Sequence, residues 1–573
     1  MDPSVQESQE TKYARTFDNE EVLQGSKPSS IIREESILPK DEKSNAVVTE
    51  PKSDELTVQY ASGSKLAILT LGVCLGLFVV ALDSTIISTV IPTITTVFDS
   101  LGDVGWYGSA YLLVLASLQP SFGKLYTVFD LKAVYLIALV IFEVGSVVCA
   151  AATSSLMFII GRAVAGIGAS ALLSGSINII AYVVPLEKRA AYNAGVSSMF
   201  TIASIVGPLM GGAFTDKVSW RWSFWINLPV GGVAFFIVAL FFTSPGRKSK
   251  LPLKEKLAKL DFFGALFFIG GTICLLLALQ WGGATFSWKD SRVWGLFLGF
   301  ALIVPVFAYI QVKRGNRATI PISIVKQRTV LISILYSFLY SMASYTHIYY
   351  LPLYFQAVED TSAVVSGIRL IPYLVFNTVV AIMMGMYVNR TGYYYYLLWI
   401  GAILYTVGAG LLSTLDVNSS TAEWVCYQMI SGMGRGSGQI PFVAVQVVLT
   451  PEEVPIGSSL VMLSTSLGGA VALSISQSIF NNDLVKEISK YAPSIDPSIV
   501  ADAGATQFRD FVPADALSGV LKAYAKAIDT VLIPPIAFAG FSLIIALGIE
   551  RLNPNPYQGY TPNMELQNFL RGK

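Results

Sequence analysis

The sequence predicts an all-α polytopic membrane protein, two six-helix bundles with a pair of helices inserted between them. Three observations predict it. Hydrophobic residues make up 53% of the 573-residue chain and charged residues 13%, with a mean hydropathy of +0.59, whereas about a quarter of a soluble domain is charged. Apolar runs recur from Leu66 nearly to the C-terminus, and roughly 20 such residues suffice to cross a bilayer. Lys and Arg gather in alternate short loops, the pattern that sets orientation in a membrane.

In chain order, residues 1–62 are rich in Ser, Glu, Lys and Pro and have neither an apolar core nor a signal-peptide composition. They are expected to form a disordered cytoplasmic tail. An N-terminal bundle is expected over 63–245, with spans near 66–91, 106–126, 133–152, 155–180, 191–214 and 223–243. The inserted pair, 262–282 and 293–312, lies within 246–328 between basic loops. A C-terminal bundle over 329–552 holds spans near 330–356, 365–387, 395–414, 423–449, 457–480 and 529–550. An external loop is expected at 481–528 and a cytoplasmic tail at 553–573. The total is about 14 transmembrane helices; without the inserted pair, which carries Gly pairs and Gln280, about 12 remain with the ends on the same side.

Orientation follows from the bases. Arg247, Lys248, Lys250, Lys254, Lys256 and Lys259 follow the sixth span, and Lys313, Arg314, Arg317, Lys326 and Arg328 follow the eighth. Lys124 with Lys132 and Lys188 with Arg189 mark smaller loops on the same face. Both termini are therefore expected in the cytoplasm. Asn418-Ser419-Ser420 is a glycosylation sequon in a loop expected outside, whereas Asn389-Arg390-Thr391 falls inside. The four cysteines sit far apart in apolar runs and read as small packing residues. A faint repeat pairs GKLYTVFDLK (Gly123 to Lys132) with GMYVNRTGYY (Gly385 to Tyr394), and GRAVAGIGAS (Gly161 to Ser170) with SGMGRGSGQ (Ser431 to Gln439).

Charges placed at membrane depth point to chemistry. Asp83 interrupts LAILTLGVCLGLFVVALDSTIISTVIPTI; a carboxylate there costs roughly 2.5–3.5 kcal/mol and usually faces a bundle interior or water-filled path. Such an acid is suited to proton exchange, or it serves as a local cap with Ser84 and Thr85. Arg162, in GRAVAGIGAS, cannot deprotonate and needs a counter-charge or carbonyls, unless it snorkels to the interface. Glu143 of the third span is a second candidate acid. In GPLMGGAF, Gly207, Pro208, Gly211 and Gly212 offer a smooth face, either a moving seam or static packing. His347, the only histidine, lies in YTHIYYLPLYFQ with Tyr350, Tyr354 and Gln356; these and Arg435 are candidate cavity residues. There is no G-x-x-x-x-G-K-[ST] phosphate loop, and one His excludes an H-E-x-x-H zinc site. No cofactor, metal or nucleic-acid partner is expected. The energy source is then a gradient.

Together these segments resemble the major facilitator superfamily and, within it, the fourteen-helix drug:proton antiporter family of fungi. LDSTIISTVIPTI is similar to the family's first-helix motif, GRAVAGIGAS to its fourth-helix motif, and GPLMGGAF to its fifth-helix antiporter motif, with Ala203 in place of the upstream Gly. WRWSFWINLPVGG (Trp220 to Gly232) is the most family-specific string. The loop motif after the second span departs, with Thr127 at its usual acid and Asp130 at its second Gly. The resemblance implies two bundles rocking about a central cavity and a role for Arg162 in proton transfer; the protein is expected to function as a monomer. It implies export of amphipathic drugs, toxins or secondary metabolites across the plasma membrane in exchange for protons. Uptake or vacuolar transport of siderophores or amino acids is the alternative.

Overall fold

The computed structural model describes residues 63–551 apart from short gaps, the longest being 245–251 and 501–508. The expected tails at 1–62 and 553–573 lie outside the described residues, as do Arg247, Lys248, Lys250 and Lys259. Among the described residues the fold is helical, with one isolated bridge between Gly282 and Phe286.

The first half comprises α1 (Gly63–Phe98), α2 (Val104–Val128), α3 (Leu131–Ala150), α4 (Ser155–Val183), α5 (Leu186–Lys217), α6 (Trp222–Trp225) and α7 (Asn227–Phe241). A short α8 (Leu253–Ala258) leads to the inserted hairpin, α9 (Phe262–Trp281) and α10 (Ser291–Arg314). After α11 (Ile322–Lys326) come α12 (Arg328–Ala357), α13 (Ala363–Arg369), α14 (Ile371–Thr391) and α15 (Tyr395–Leu412). The chain continues through α16 (Thr421–Arg435), a 3-10 turn at Gly436–Gln439, α17 (Ile440–Val448) and α18 (Val454–Tyr491). It closes with α19 (Ala514–Leu532) and α20 (Pro534–Ala546).

Several helices begin where side-chain oxygens satisfy free backbone N–H groups. Asp130 accepts from Ala133 N ahead of α3, Ser154 from Met157 N ahead of α4, and Asp261 from Gly264 N ahead of α9. Ser420 and Glu423 form a reciprocal capping box at α16. Asp130, the acid that departs from the loop motif, is thus a helix cap.

Each predicted span is helical. Among the described residues, 12 helices are long and apolar enough to cross a membrane. The two expected spans outside that set are α2, which carries Gln119, Pro120 and Lys124, and α16–α17, which is broken by the 3-10 turn. The expected external loop at 481–528 is shorter than predicted, because α18 runs on to Tyr491 and α19 starts at Ala514. The reason lies in α19, which buries Val520, Ala523, Tyr524, Ala527, Ile528 and Val531 along one stripe while Lys522 and Lys526 interrupt its mean hydropathy.

Small residues bring neighbouring helices close, and they do so in the same way twice. A Cβ on Gly168 of α4 would strike the Phe142 backbone of α3, and one on Gly434 of α16 would strike the Tyr405 backbone of α15. Likewise Gly166 abuts Tyr111 of α2, and Gly432 abuts Tyr373 of α14. These contacts fix the register of the internal repeat: Gly166 matches Gly432 and Gly168 matches Gly434. Arg162 therefore corresponds to Gln428, and Arg435 stands two helical turns away from Arg162's counterpart.

The bundles meet where α5 packs on α14 and α2 on α18. At the face carrying the basic loops, Gly385 abuts Ala190 and Ala191, Gly123 abuts Ser459 and Pro455, and Tyr182 Oη donates to the Pro451 carbonyl at 3.4 Å. Helix α9 contacts both α2 and α18, so the inserted hairpin stands beside that second junction.

Candidate functional site: a buried ion pair beside a central cavity

Asp83 and Arg162 are brought together in the first bundle. Arg162 Nη1 lies 2.5 Å from Asp83 Oδ2, and both side chains are 1% exposed. Arg162 Nε donates to the Tyr107 carbonyl at 2.9 Å, and the guanidinium carbon sits 4.5 Å from the centre of the Tyr111 ring. Asn227 Nδ2 donates to Asp83 Oδ1 at 3.3 Å and to Ser146 Oγ at 3.1 Å. Helices α1, α2, α3, α4 and α7 all contribute to this cluster. Arg162 does not snorkel, and Asp83 is no local cap, since Ser84 and Thr85 hydroxyls bond to backbone carbonyls instead.

Glu143 of α3 projects toward α7. Both its carboxylate oxygens are buried without a hydrogen-bond partner, and a Cβ on Gly231 would collide with Oε1. Burying a carboxylate unpaired is costly.

The GPLMGGAF segment builds the α1–α5 contact. A Cβ at Gly207 would meet Thr85 Oγ1 and the Ile86 backbone; one at Gly211 would meet Thr89 Oγ1 and Ile86. Thr85 Oγ1 donates across the seam to the Ala203 carbonyl at 2.9 Å. Pro208 lies inside α5, where it removes one ladder hydrogen bond. Gly212 is different: nothing stands within 4 Å of its would-be Cβ, so it faces away from the seam.

Between the bundles lies a cavity of about 720 Å³, within the range that takes a drug-sized ligand. Val80, Ser84 and Thr85 of α1 line it beside the ion pair, and Gly108, Ser109, Tyr349 and Gln477 line the end remote from the basic loops. The wall is apolar with scattered hydroxyls and amides; among the described residues that line it, Arg435 is the one Lys, Arg, Asp or Glu.

Arg435 is therefore placed in the cavity, but His347, Tyr350, Tyr354 and Gln356 are not among its lining residues. His347 is fully buried, with Nδ1 3.3 Å from Tyr405 Oη and its ring against Tyr373. Tyr350 packs on Phe480, Tyr354 Oη donates to the Asp416 carbonyl at 2.8 Å, and Gln356 Nε2 donates to Ser366 Oγ at 3.0 Å. These side chains face the core of the second bundle or its far end, because a stretch of this length winds around α12. The sequence reading also missed the partners Tyr107, Tyr111 and Asn227, and Ser344 and Asn377 around Arg435. Uncharged polar side chains inside apolar runs carry no such signal.

The sequence pattern of the Major Facilitator Superfamily matches residues 73–473. The MFS-type efflux pump MFS1 of Trichophyton rubrum is 44% identical over 511 residues, covering 89% of this chain and 95% of that protein. Efflux pump roqT of Penicillium rubens is 42% identical over 497 residues, covering 86% of this chain and 92% of that protein. Among solved structures, the proton:xylose symporter XylE bound to 6-bromo-6-deoxy-D-glucose shares the fold at a TM-score of 0.53 and 14% identity, covering 87% of this chain and 99% of that one.

Proposed function

The chain belongs to the Major Facilitator Superfamily, and on that premise we propose that it exports small amphipathic compounds, toxins or secondary metabolites among them, across the plasma membrane in exchange for protons. Relatives named as efflux pumps support export over uptake. The observation that carries the proton coupling is the Asp83–Arg162 pair. A proton on Asp83 removes the anion facing Arg162, which keeps only the Tyr107 carbonyl and the Tyr111 ring face. Helices α1 and α4 are then clamped in one protonation state and loosened in the other. Because α1 also lines the cavity and forms the glycine seam with α5, that change reaches both the substrate and the moving face. Glu143 is the second acid of this cluster.

With the basic face taken as cytoplasmic, both ends lie inside. The bundles then close at the cytoplasmic end, and the cavity extends toward the outside, the releasing side of an exporter. One chain supplies both cavity walls, which supports function as a monomer. Each pH unit supplies about 1.36 kcal/mol per proton and each 100 mV about 2.3 kcal/mol per charge.

The test uses inside-out plasma-membrane vesicles with an acidic lumen and fluorescent amphipathic compounds. Accumulation that an ionophore abolishes is the expected result, and accumulation indifferent to the ionophore would remove the proton from the cycle. Deletion in the native host should shift compounds from medium to cells; an unchanged profile, with no vesicle accumulation, would refute export.

A further inference from the structure

We propose that Arg435 makes the cavity selective for amphipathic compounds bearing a negative group, such as a carboxylate, sulfonate or ionised phenol, which docks on its guanidinium. The inference rests on the transport reading above and names the substrate class of that cavity.

Arg435 stands at the end of α16, where the 3-10 turn begins, and it lines the cavity. All its partners are neutral. Nε donates to Ser344 Oγ at 2.5 Å, and the guanidinium carbon lies 5.5 Å from the centre of the Tyr373 ring. With its amide in the orientation that satisfies both groups, Asn377 accepts from Arg435 Nη1 at 3.1 Å and donates to the Arg435 carbonyl at 3.2 Å. Tyr340 Oη also donates to that carbonyl. Among the described residues no carboxylate pairs with Arg435.

Arg162 is neutralised by Asp83 and belongs to the repeat, where its counterpart is Gln428. Arg435 is extra to the repeat and carries no acid with it. A half-buried cation in a cavity wall at membrane depth, with no counter-charge beside it, is less favourable than a paired one, and a substrate anion supplies the missing charge. Guanidinium is planar and matches the two oxygens of a carboxylate or sulfonate through parallel N–H donors. The apolar body of such a compound finds Leu112, Phe200, Ile348 and Phe442 around it. Anion recognition and apolar burial thus coexist in one chamber.

The test is equilibrium dialysis of the purified full-length protein in lipid nanodiscs, with empty nanodiscs as the blank. The probes are anilinonaphthalene sulfonate and N-phenylnaphthylamine, the same skeleton with and without the anion. The wild type should bind the sulfonate at least about ten-fold more tightly. Arg435→Gln should bring the two affinities together, and Arg435→Lys should keep a reduced preference. Ser344→Asp, which sets a carboxylate against the guanidinium, should also erase the preference and keeps the arginine in place should Arg435→Gln fail to fold. Equal binding, preference for the neutral compound, binding of neither, or a sulfonate preference that survives Arg435→Gln would overturn the proposal. Since the readout is binding, a failure of proton-driven export in vesicles refutes the transport reading and leaves this result standing.

Discussion

Asp83→Asn preserves shape and the Asn227 contact but leaves Arg162 facing no anion. Both charges are 1% exposed and 2.5 Å apart. Removing one member of a buried pair costs about 3–5 kcal/mol, because the other charge is stranded. Arg162 keeps the Tyr107 carbonyl at 2.9 Å and the Tyr111 face at 4.5 Å, which places the expected loss near the lower end, about 3 kcal/mol. Arg162→Gln strands the carboxylate instead, with Asn227 at 3.3 Å as its remaining donor, and should cost a similar amount. The double variant has no stranded charge, so its loss should fall short of the sum by at least about 1.5 kcal/mol, within the range for contacting residues. Denaturant unfolding of the purified proteins in detergent measures these three values. Proteoliposomes add the functional arm: Asp83→Asn should lose accumulation driven by a pH gradient while retaining exchange of labelled for unlabelled compound. Losses that add to within about 0.5 kcal/mol, or full gradient-driven accumulation by Asp83→Asn, would refute the reasoning.

Gly207→Val should arrest transport, because its branched side chain enters space held by Thr85 and Ile86, whereas Gly212→Val, with open space around it, should leave transport near wild type; initial efflux rates compare the two. Glu143→Gln removes an unpaired buried carboxylate and should raise stability by about 1–3 kcal/mol, seen as a higher unfolding temperature at pH 8; a lower one would mean the carboxylate has a native partner. Asn418 is exposed, so Asn418→Gln should abolish a glycosidase-sensitive gel shift that Asn389→Gln leaves intact; the reverse pattern would invert the topology.

Much of the ion-pair cluster was legible because charge in an apolar run is conspicuous. Asp83 and Arg162 each stand out for their cost in lipid, the sequence reading makes Arg162 the electrostatic partner of Asp83, and the fold places the two in contact. Tyr107, Tyr111 and Asn227 were not legible, since an uncharged polar residue looks the same whether it faces a bundle or a charge. Among residues 345–356 the cavity-facing side was not legible either: α12 is apolar on most faces, so its pattern lacks the contrast that orients a water-soluble helix. Arg435 was visible as a charge, but its neutral surroundings depend on α12 and α14 meeting around it. The helix α19 escaped hydropathy because its signal is a stripe. Gly211 and Gly212 are neighbours with opposite surroundings, which only the packing of α5 on α1 distinguishes.

The inserted hairpin has a consequence for how the chamber keeps its contents. Helix α10 packs on α9, and its face bears Leu298, Leu302 and Tyr309, all exposed. Its partner α9 sends Leu276, Leu279 and Gln280 into the cavity wall and covers Leu113 and Ala116 of α2. At the base, Gln311 Nε2 donates to Asp261 at 2.8 Å and Gln311 accepts from Ile320 N at 2.9 Å, tying both legs to the segment between α10 and α11. Excising the hairpin would therefore bare Leu113 and Ala116 of α2 and remove the part of the cavity wall that Leu276, Leu279 and Gln280 supply.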